Sequence, residues 1–397
     1  MSTTADTVAR IESSVGRTID WLITMLPAAD GSDGIWERIR IDVDQVVRWV
    51  RPDCTAESRE LFARAAEVLG RPELGVIANG LGGWLLANQN ADGSFPFYTL
   101  EGRDTSDQPF GQGSLTRYPN DHGKTLELLA LWSAAGGGDE VSSAADRLAG
   151  WIIDEQNDEG WFPMDGREWP GPCMVAWPVA GLTRYAANGG AQSAAAADTA
   201  SRAVSYLTAL QQPDGRIRTT YEIHQRENWR PASSETAETL RAFALSQRLL
   251  DLDLAPQIAG ATAFLTRLTT DDGAIRNCDA TCDNASEQND GSLTDLVYTC
   301  GYALHAWLDA WRLTGEAAHL DAATGLGEFL MSIQVDDPGV AWHGAWRGSY
   351  DVDQKIWRGR ANQHNPIDEG GEFSVYTGWC NATIANGLLR LRAALIG

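Results

Sequence analysis

Lysine is nearly absent from this chain: of 397 residues only Lys124 and Lys355 carry an ammonium side chain. Basic charge is scarce as a whole, with 31 Lys and Arg against 54 Asp and Glu and a formal net charge of −23. A surface this acidic repels phosphate backbones and anionic lipid head groups, which argues against nucleic acid and membrane surfaces as partners. Long apolar runs are missing too. No stretch approaches the roughly 18–20 residues of a membrane span. The opening MSTTADTVARIESS has no basic segment leading into an apolar one, so an export signal is not expected, and reduced thiols in the cytoplasm are. Cysteine is sparse and scattered (54, 173, 278, 282, 300 and 380) apart from Cys278 and Cys282. One close pair without a second pair or a His pair lacks metal-ligand spacing, so neither a metal nor another cofactor is expected.

Tryptophan is what the chain has in excess, 16 residues in all. Part of that excess belongs to a repeat. An aromatic residue stands five positions before a Gln, and an acidic turn follows: Trp84, Gln89 and Asp92-Gly93; Trp151, Gln156 and Glu159-Gly160; Tyr206, Gln211 and Asp214-Gly215. Phe329, Gln334 and Asp337-Pro338 form another copy, while Trp21 with Asp30-Gly31 and Phe264 with Asp272-Gly273 are degenerate ones. The aromatics at 21, 84, 151, 206, 264 and 329 are spaced by 63, 67, 55, 58 and 65 residues, room for two helices and two connections per unit. The acidic-Gly pair supplies the turn that stops each helix.

Between these amphipathic helices lies a second set, apolar on most faces, near 53–69, 121–136, 173–188, 234–250, 294–314 and 373–395. Helices of that kind are buried, so they form an inner ring inside the amphipathic one. The expected fold is all-α: a single (α/α)6 toroid of twelve alternating inner and outer helices, one domain over residues 1–397. Inner-to-outer links are short. Outer-to-inner links are long and all open at the N-terminal end of the inner helices, where function is expected to sit.

That end is rich in side chains suited to sugar. Trp161, Tyr221, Trp229, Arg230, Trp346, Arg347, Asn362 and Glu372 lie in or beside the long loops, and Asp53 opens the first inner helix. Indole faces stack on pyranose C–H faces while carboxylates, amides and arginines satisfy hydroxyls, so these nine are the expected substrate-binding residues. Acidic residues recur at the inner-helix starts: Asp53, Asp121, Glu235, Asp295 and Glu372. Singly, each reads as a helix cap or dipole complement. Together they converge on one cavity, where Asp53 would face Glu235 and Asp121 would face Asp295. Opposed carboxylates are the equipment of glycoside hydrolysis. A second set, His122, His364 and Tyr376, could instead move a proton at C5 of a uronate. The candidate catalytic residues are therefore Asp121, Glu235, His122, Asp295, His364 and Tyr376, with an oligo- or polysaccharide as the partner. His305 and His319 lie within helices away from the loops and read as structural.

The twelve-helix alternation, the W-x4-Q-x2-D-G repeats and stretches such as VYTCGYALHAW and VYTGWCNATIANGL resemble the six-hairpin toroid enzymes of carbohydrate metabolism. These include unsaturated glucuronyl hydrolases, uronate lyases, sugar 2-epimerases and glucuronyl C5-epimerases. The resemblance implies a toroid fold and chemistry on a saccharide, but brings no catalytic residue with it. The repeats are also similar to the Q-W motifs of squalene and hopene cyclases. That chemistry needs D-x-D-D, and the nearest strings, at Asp42-Asp44 and Asp251-Asp253, lack the final Asp. Asp295, Cys300 and His305 are similar in type to the zinc ligands of protein prenyltransferases, but five-residue steps on a helix diverge too far to share a metal. A terpene cyclase-like isoprenoid enzyme is the runner-up class, and a non-catalytic glycan-binding toroid is a further alternative.

Overall fold

The structure is a computed structural model that describes residues 3–97, 99–100, 117–163, 171–223, 233–279, 290–359 and 371–397. Its helices alternate along the chain as the hydrophobic pattern dictates. The outer set is α1 (Thr4–Thr24), α3 (Glu73–Asn88), α5 (Gly138–Glu155), α7 (Ser193–Leu210), α10 (Ala255–Leu268) and α12 (Ala317–Ile333). The inner set is α2 (Pro52–Val68), α4 (Pro119–Ala134), α6 (Cys173–Ala187), α9 (Ser233–Leu250), α11 (Gly301–Thr314) and α13 (Thr383–Ile396). A one-turn helix, α8 (Thr220–Ile223), interrupts one long connection. Each inner helix packs on the next, from α2 through α4, α6, α9 and α11 to α13, and α13 returns to α2. That closed ring is the (α/α)6 toroid.

The Gln of each repeat is a clamp between outer helices. Gln156 Nε2 donates to Gly160 O in its own turn (3.0 Å) and to Thr199 O of the next outer helix (2.9 Å). Gln89 and Gln211 repeat this toward Ala144 O and Gln257 O. Gln334 closes the circle by donating to Gly344 O and to Ser14 O in α1. The turn glycine is needed twice over. Gly215 has φ +91°, and a Cβ there would stand 2.0 Å from Gly260 O in α10. Close approach also governs the inner ring, where a Cβ on Gly123 of α4 would lie 2.2 Å from the Pro178 nitrogen of α6.

The chain also builds short strands that hydrophobic periodicity did not foretell. β1 (Trp36–Arg40), β2 (Gln45–Val50), β3 (Thr99–Leu100) and β7 (Ser374–Tyr376) form one sheet in the order β3-β2-β1-β7. β4 (Leu293–Asp295), β5 (Ser349–Asp351) and β6 (Ile356–Trp357) form another. Both are made from the long connections and lie at the N-terminal end of the inner helices. β4 and β7 run directly into π-helical turns, Leu296–Cys300 and Thr377–Ala382, that open α11 and the last inner helix. The apolar core fills the space between the two rings. The axis, in contrast, is lined by charged side chains.

Candidate active site

Arg51, the residue before α2, is 1% exposed and organises the first half of the site. Its Nη1 donates to Glu37 Oε1 of β1 (3.0 Å), its Nη2 donates to Asp121 Oδ2 of α4 (2.5 Å), and its Nε lies 3.3 Å from Asp53 Oδ1. Trp379 and Phe97 flank the guanidinium with ring centroids 4.1 and 4.2 Å away. Arg38, also buried, brings a second cation to 3.7 Å from Glu37 Oε2, so two cations face three buried carboxylates, and a low-dielectric site disfavours the excess negative charge. Asp121 takes the proton. Burial raises its pKa, Arg51 pulls back, and Asp53 and Glu37 push further, leaving it at about 8. The same carboxylates hold the Arg51 cation well above its ordinary range against the cost of burial. The Trp379 indole N–H donates to Asp53 Oδ2. The other oxygens, Asp53 Oδ1 and Asp121 Oδ1, are buried and accept no hydrogen bond among the described residues.

A second carboxylate group comes from α9 and the strand before α11. Asp295 caps the π-helical turn by accepting from Val297 N (2.7 Å) and Tyr298 N (3.0 Å), yet burial pushes it up to about 7. Both Glu235 oxygens accept from Thr220 N at 2.9 Å, and Oε1 also accepts from Thr220 Oγ1 at 2.6 Å, which ties α8 down. Glu238, one turn deeper, is raised well above the carboxylate range by burial and then by Glu235 and Asp295.

Lys124 makes the floor. Its ammonium lies 3.0 Å from Glu57 Oε2 of α2 and donates to Tyr302 OH of α11 (2.8 Å) and Thr383 Oγ1 of α13 (2.9 Å), so one side chain spans the ring. Trp177 stacks on Tyr302 with centroids 4.9 Å apart.

Several expected residues take other places. His122 spends both ring nitrogens on the main chain: Nδ1 pairs with Tyr118 O (2.7 Å) and Nε2 accepts from Phe95 N (2.9 Å). Burial then lowers its pKa to about 4, a neutral ring with a structural task. Tyr376 is buried, stacks on Trp379 at 5.4 Å, and its hydroxyl accepts from Arg38 Nη1 (2.6 Å) across the β1–β7 pair. Trp346 is fully buried with its indole N–H on Leu330 O, and Trp161 is 7% exposed with its N–H on Glu159; both are packing residues rather than sugar platforms. Arg347 pairs with Glu372, whose carboxylate is 3.5 Å away. The ring order sets α2 across from α9 and α4 across from α11, as expected for Asp53 with Glu235 and Asp121 with Asp295; within that frame Arg51 gathers Asp53 and Asp121, while Glu235 and Asp295 both act on Glu238. Trp229, Arg230, Asn362, His364 and the side chain of Tyr221 lie outside the described residues. Asp42 pairs with Arg40 on the exposed β1–β2 hairpin, and Asp251 lies beyond the C-terminal end of α9, so neither string of the cyclase type reaches the cavity.

Sequence reasoning missed Arg51, Glu37, Glu57, Lys124, Glu238 and Tyr302. The signal was present as helical spacing: Asp53 and Glu57, Asp121 and Lys124, Glu235 and Glu238 are each three or four residues apart, one face of an inner helix continued inward.

No protein-family model matches the sequence, and no curated protein matches it. Solved structures do match over almost the full length. A sugar epimerase from a ruminal bacterium superposes with a TM-score of 0.72 at 13% identity, covering 98% of each chain. A cellobiose 2-epimerase from Bacillus thermoamylovorans gives 0.72 at 9% identity, covering 98% of this chain and 99% of that one. An unsaturated glucuronyl hydrolase specific for heparin gives 0.70 at 11% identity, with 97% and 98% covered. These likenesses establish the toroid fold.

Proposed function

We propose that the protein is a carbohydrate-active enzyme that hydrolyses a glycosidic bond in an oligo- or polysaccharide containing uronic acid. The observation that carries this reading is the Asp53–Asp121 pair on Arg51. It offers two adjacent buried carboxyl groups, one of them holding a proton to about pH 8, each with an oxygen that accepts no hydrogen bond. Glycoside hydrolysis needs one carboxylic acid to protonate the leaving oxygen and one carboxylate to activate water or attack carbon. Asp121 fits the acid and Asp53 the partner, with Trp379 and Arg51 fixing both. Glu238 and Asp295 stand as further carboxyls toward the other side of the ring. The names of the matched structures, an epimerase and a glucuronyl hydrolase among them, support a saccharide substrate. The elimination and epimerisation readings rest on Tyr376, whose hydroxyl is held by Arg38, and on His364.

The test is incubation with a panel of uronate-containing glycans, reading new reducing ends alongside ultraviolet absorbance from an unsaturated uronate. Reducing ends without absorbance are expected, with a loss of about 10²-fold or more in Asp121→Asn. Rising absorbance would make the protein a lyase, and a changed sugar isomer without cleavage an epimerase. Saturable quenching of tryptophan fluorescence with no product would make it a glycan-binding toroid.

A further inference from the structure

Beneath the Lys124 floor the ring encloses a second chamber, a cavity of about 100 Å³ that opens toward the C-terminal ends of the inner helices. Its walls carry six cations, Arg64, Lys124, Arg184, Arg241, Arg312 and Arg390, against three carboxylates, Glu57, Glu60 and Glu127. Lys124 is matched by Glu57 and Arg64 by Glu60. Around the remaining guanidiniums stand Glu127 and the fully buried Asp309, and Arg248 adds one more cation 3.9 Å from Asp309. Four arginines, Arg184, Arg241, Arg248 and Arg390, thus share two carboxylates, and Arg312 makes no ion pair among the described residues. In a protein with a net charge of −23, this is a concentrated positive interior.

Helix dipoles explain only part of it. Partial negative charge at a helix C-terminus acts within the last turn. Arg241 and Arg390 lie nine and six residues before the ends of their helices, α9 (Ser233–Leu250) and α13 (Thr383–Ile396). Both are held inward, Arg241 on Glu127 and Arg390 on Asp309, each at 2.5 Å. His305 does not add charge, since Nε2 pairs with Thr383 O and Nδ1 with Arg390 Nη1, which keeps the ring neutral. The remaining contacts are long: Arg184 Nε lies 3.5 Å from Glu127 Oε1, Arg241 Nε 3.5 Å from Asp309 Oδ2 and Arg248 Nη2 3.9 Å from Asp309 Oδ1, ion pairs in which these buried nitrogens make no hydrogen bond among the described residues. Guanidiniums that outnumber the carboxylates around a small polar chamber match the oxygens of a tetrahedral oxyanion.

We propose that this chamber is a phosphate-binding site, separate from the saccharide site and divided from it by Lys124. The ligand class is a tetrahedral oxyanion, either free inorganic phosphate or the phosphate group of a small metabolite. Burial and the neighbouring Arg241 and Arg312 already lower Arg390 to about 10, a cost that a bound dianion removes.

The probe is inorganic phosphate, titrated calorimetrically into the full chain without saccharide at constant ionic strength, with chloride as the control and glucose 6-phosphate as a second arm. Saturable phosphate binding at least tenfold tighter than chloride is expected. It should weaken about tenfold in Arg241→Gln and in Arg312→Gln, whose side chain stands at the exposed mouth where folding is least at risk. Asp121→Asn should bind phosphate as the wild type does, which keeps this test independent of the proposed hydrolysis. Tighter binding of the sugar phosphate would identify a phosphorylated metabolite as the source, and equal binding the free ion. Heats that do not saturate, or affinity unchanged in Arg312→Gln and Arg241→Gln, would overturn the proposal.

Discussion

Replacing Asp121 by Asn should make the protein more stable at neutral pH, by an amount set by the proton that Asp121 holds. In the unfolded chain this carboxyl ionises near 3.8; in the folded protein, where it is 2% exposed beside Asp53, it stays protonated to about 8. Between those values the folded state binds more protons than the unfolded one. Stability contributed by this site therefore falls as pH rises through the window, and the loss is complete above about pH 8. Each unit is worth about 1.4 kcal/mol, so the wild type carries a penalty on the order of 1–2 kcal/mol at pH 5 and about 4 kcal/mol at pH 7. Asparagine has the shape of the protonated acid and cannot ionise, so it escapes the penalty while keeping its place beside Arg51. Urea unfolding of both proteins at pH 4, 5, 6 and 7 should give curves that nearly coincide at pH 4 and diverge in favour of Asp121→Asn as pH rises. A variant equal to or less stable than wild type at pH 7, or a difference that does not change with pH, would show that Asp121 is an ionised partner of Arg51. The proton-donor role would then fail.

Other perturbations probe the frame around the site. Lys124→Met removes the cation that spans the ring and leaves Glu57 buried without its charge partner, at a cost of about 3–5 kcal/mol in urea unfolding at pH 7. Gln156→Leu removes the one donor that joins Gly160 O to Thr199 O across a junction of outer helices and should cost about 1–2 kcal/mol, with faster amide exchange at the start of α7. Gly123→Ala forces a methyl group onto the α6 backbone at Pro178 and should cost more than about 3 kcal/mol or prevent folding, as read by circular dichroism.

The toroid was legible because its causes are local and repeated. Apolar faces alternate between broad and narrow along twelve helices, and the Gln of each repeat marks a clamp that needs one residue type at one spacing. What those glutamines do was not legible, since their partners, Thr199 O for Gln156 and Ser14 O for Gln334, are main-chain groups far away in sequence. The short strands escaped for a related reason. β7 is three residues long and exists through its register with β1, Arg38 opposite Tyr376. At the site, capping logic located Asp53, Asp121, Glu235 and Asp295 correctly at the inner-helix starts. It could not show that Arg51 would gather two of them, because that depends on the loop before α2 turning its last residue inward. The loop tryptophans misled: Trp161 and Trp346 sit in long connections by sequence, yet both are core residues because those connections fold back over the gap between the rings.

Whether the Asp53–Asp121 pair acts on a saccharide is decided by a crystal structure of Asp121→Asn grown with a cleavable uronate-containing oligosaccharide. An intact glycosidic oxygen is expected within hydrogen-bonding distance of the side chain at position 121, with Asp53 beside the anomeric carbon or its water. A saccharide bound only against Glu238 and Asp295, or only on the outer surface, would contradict it.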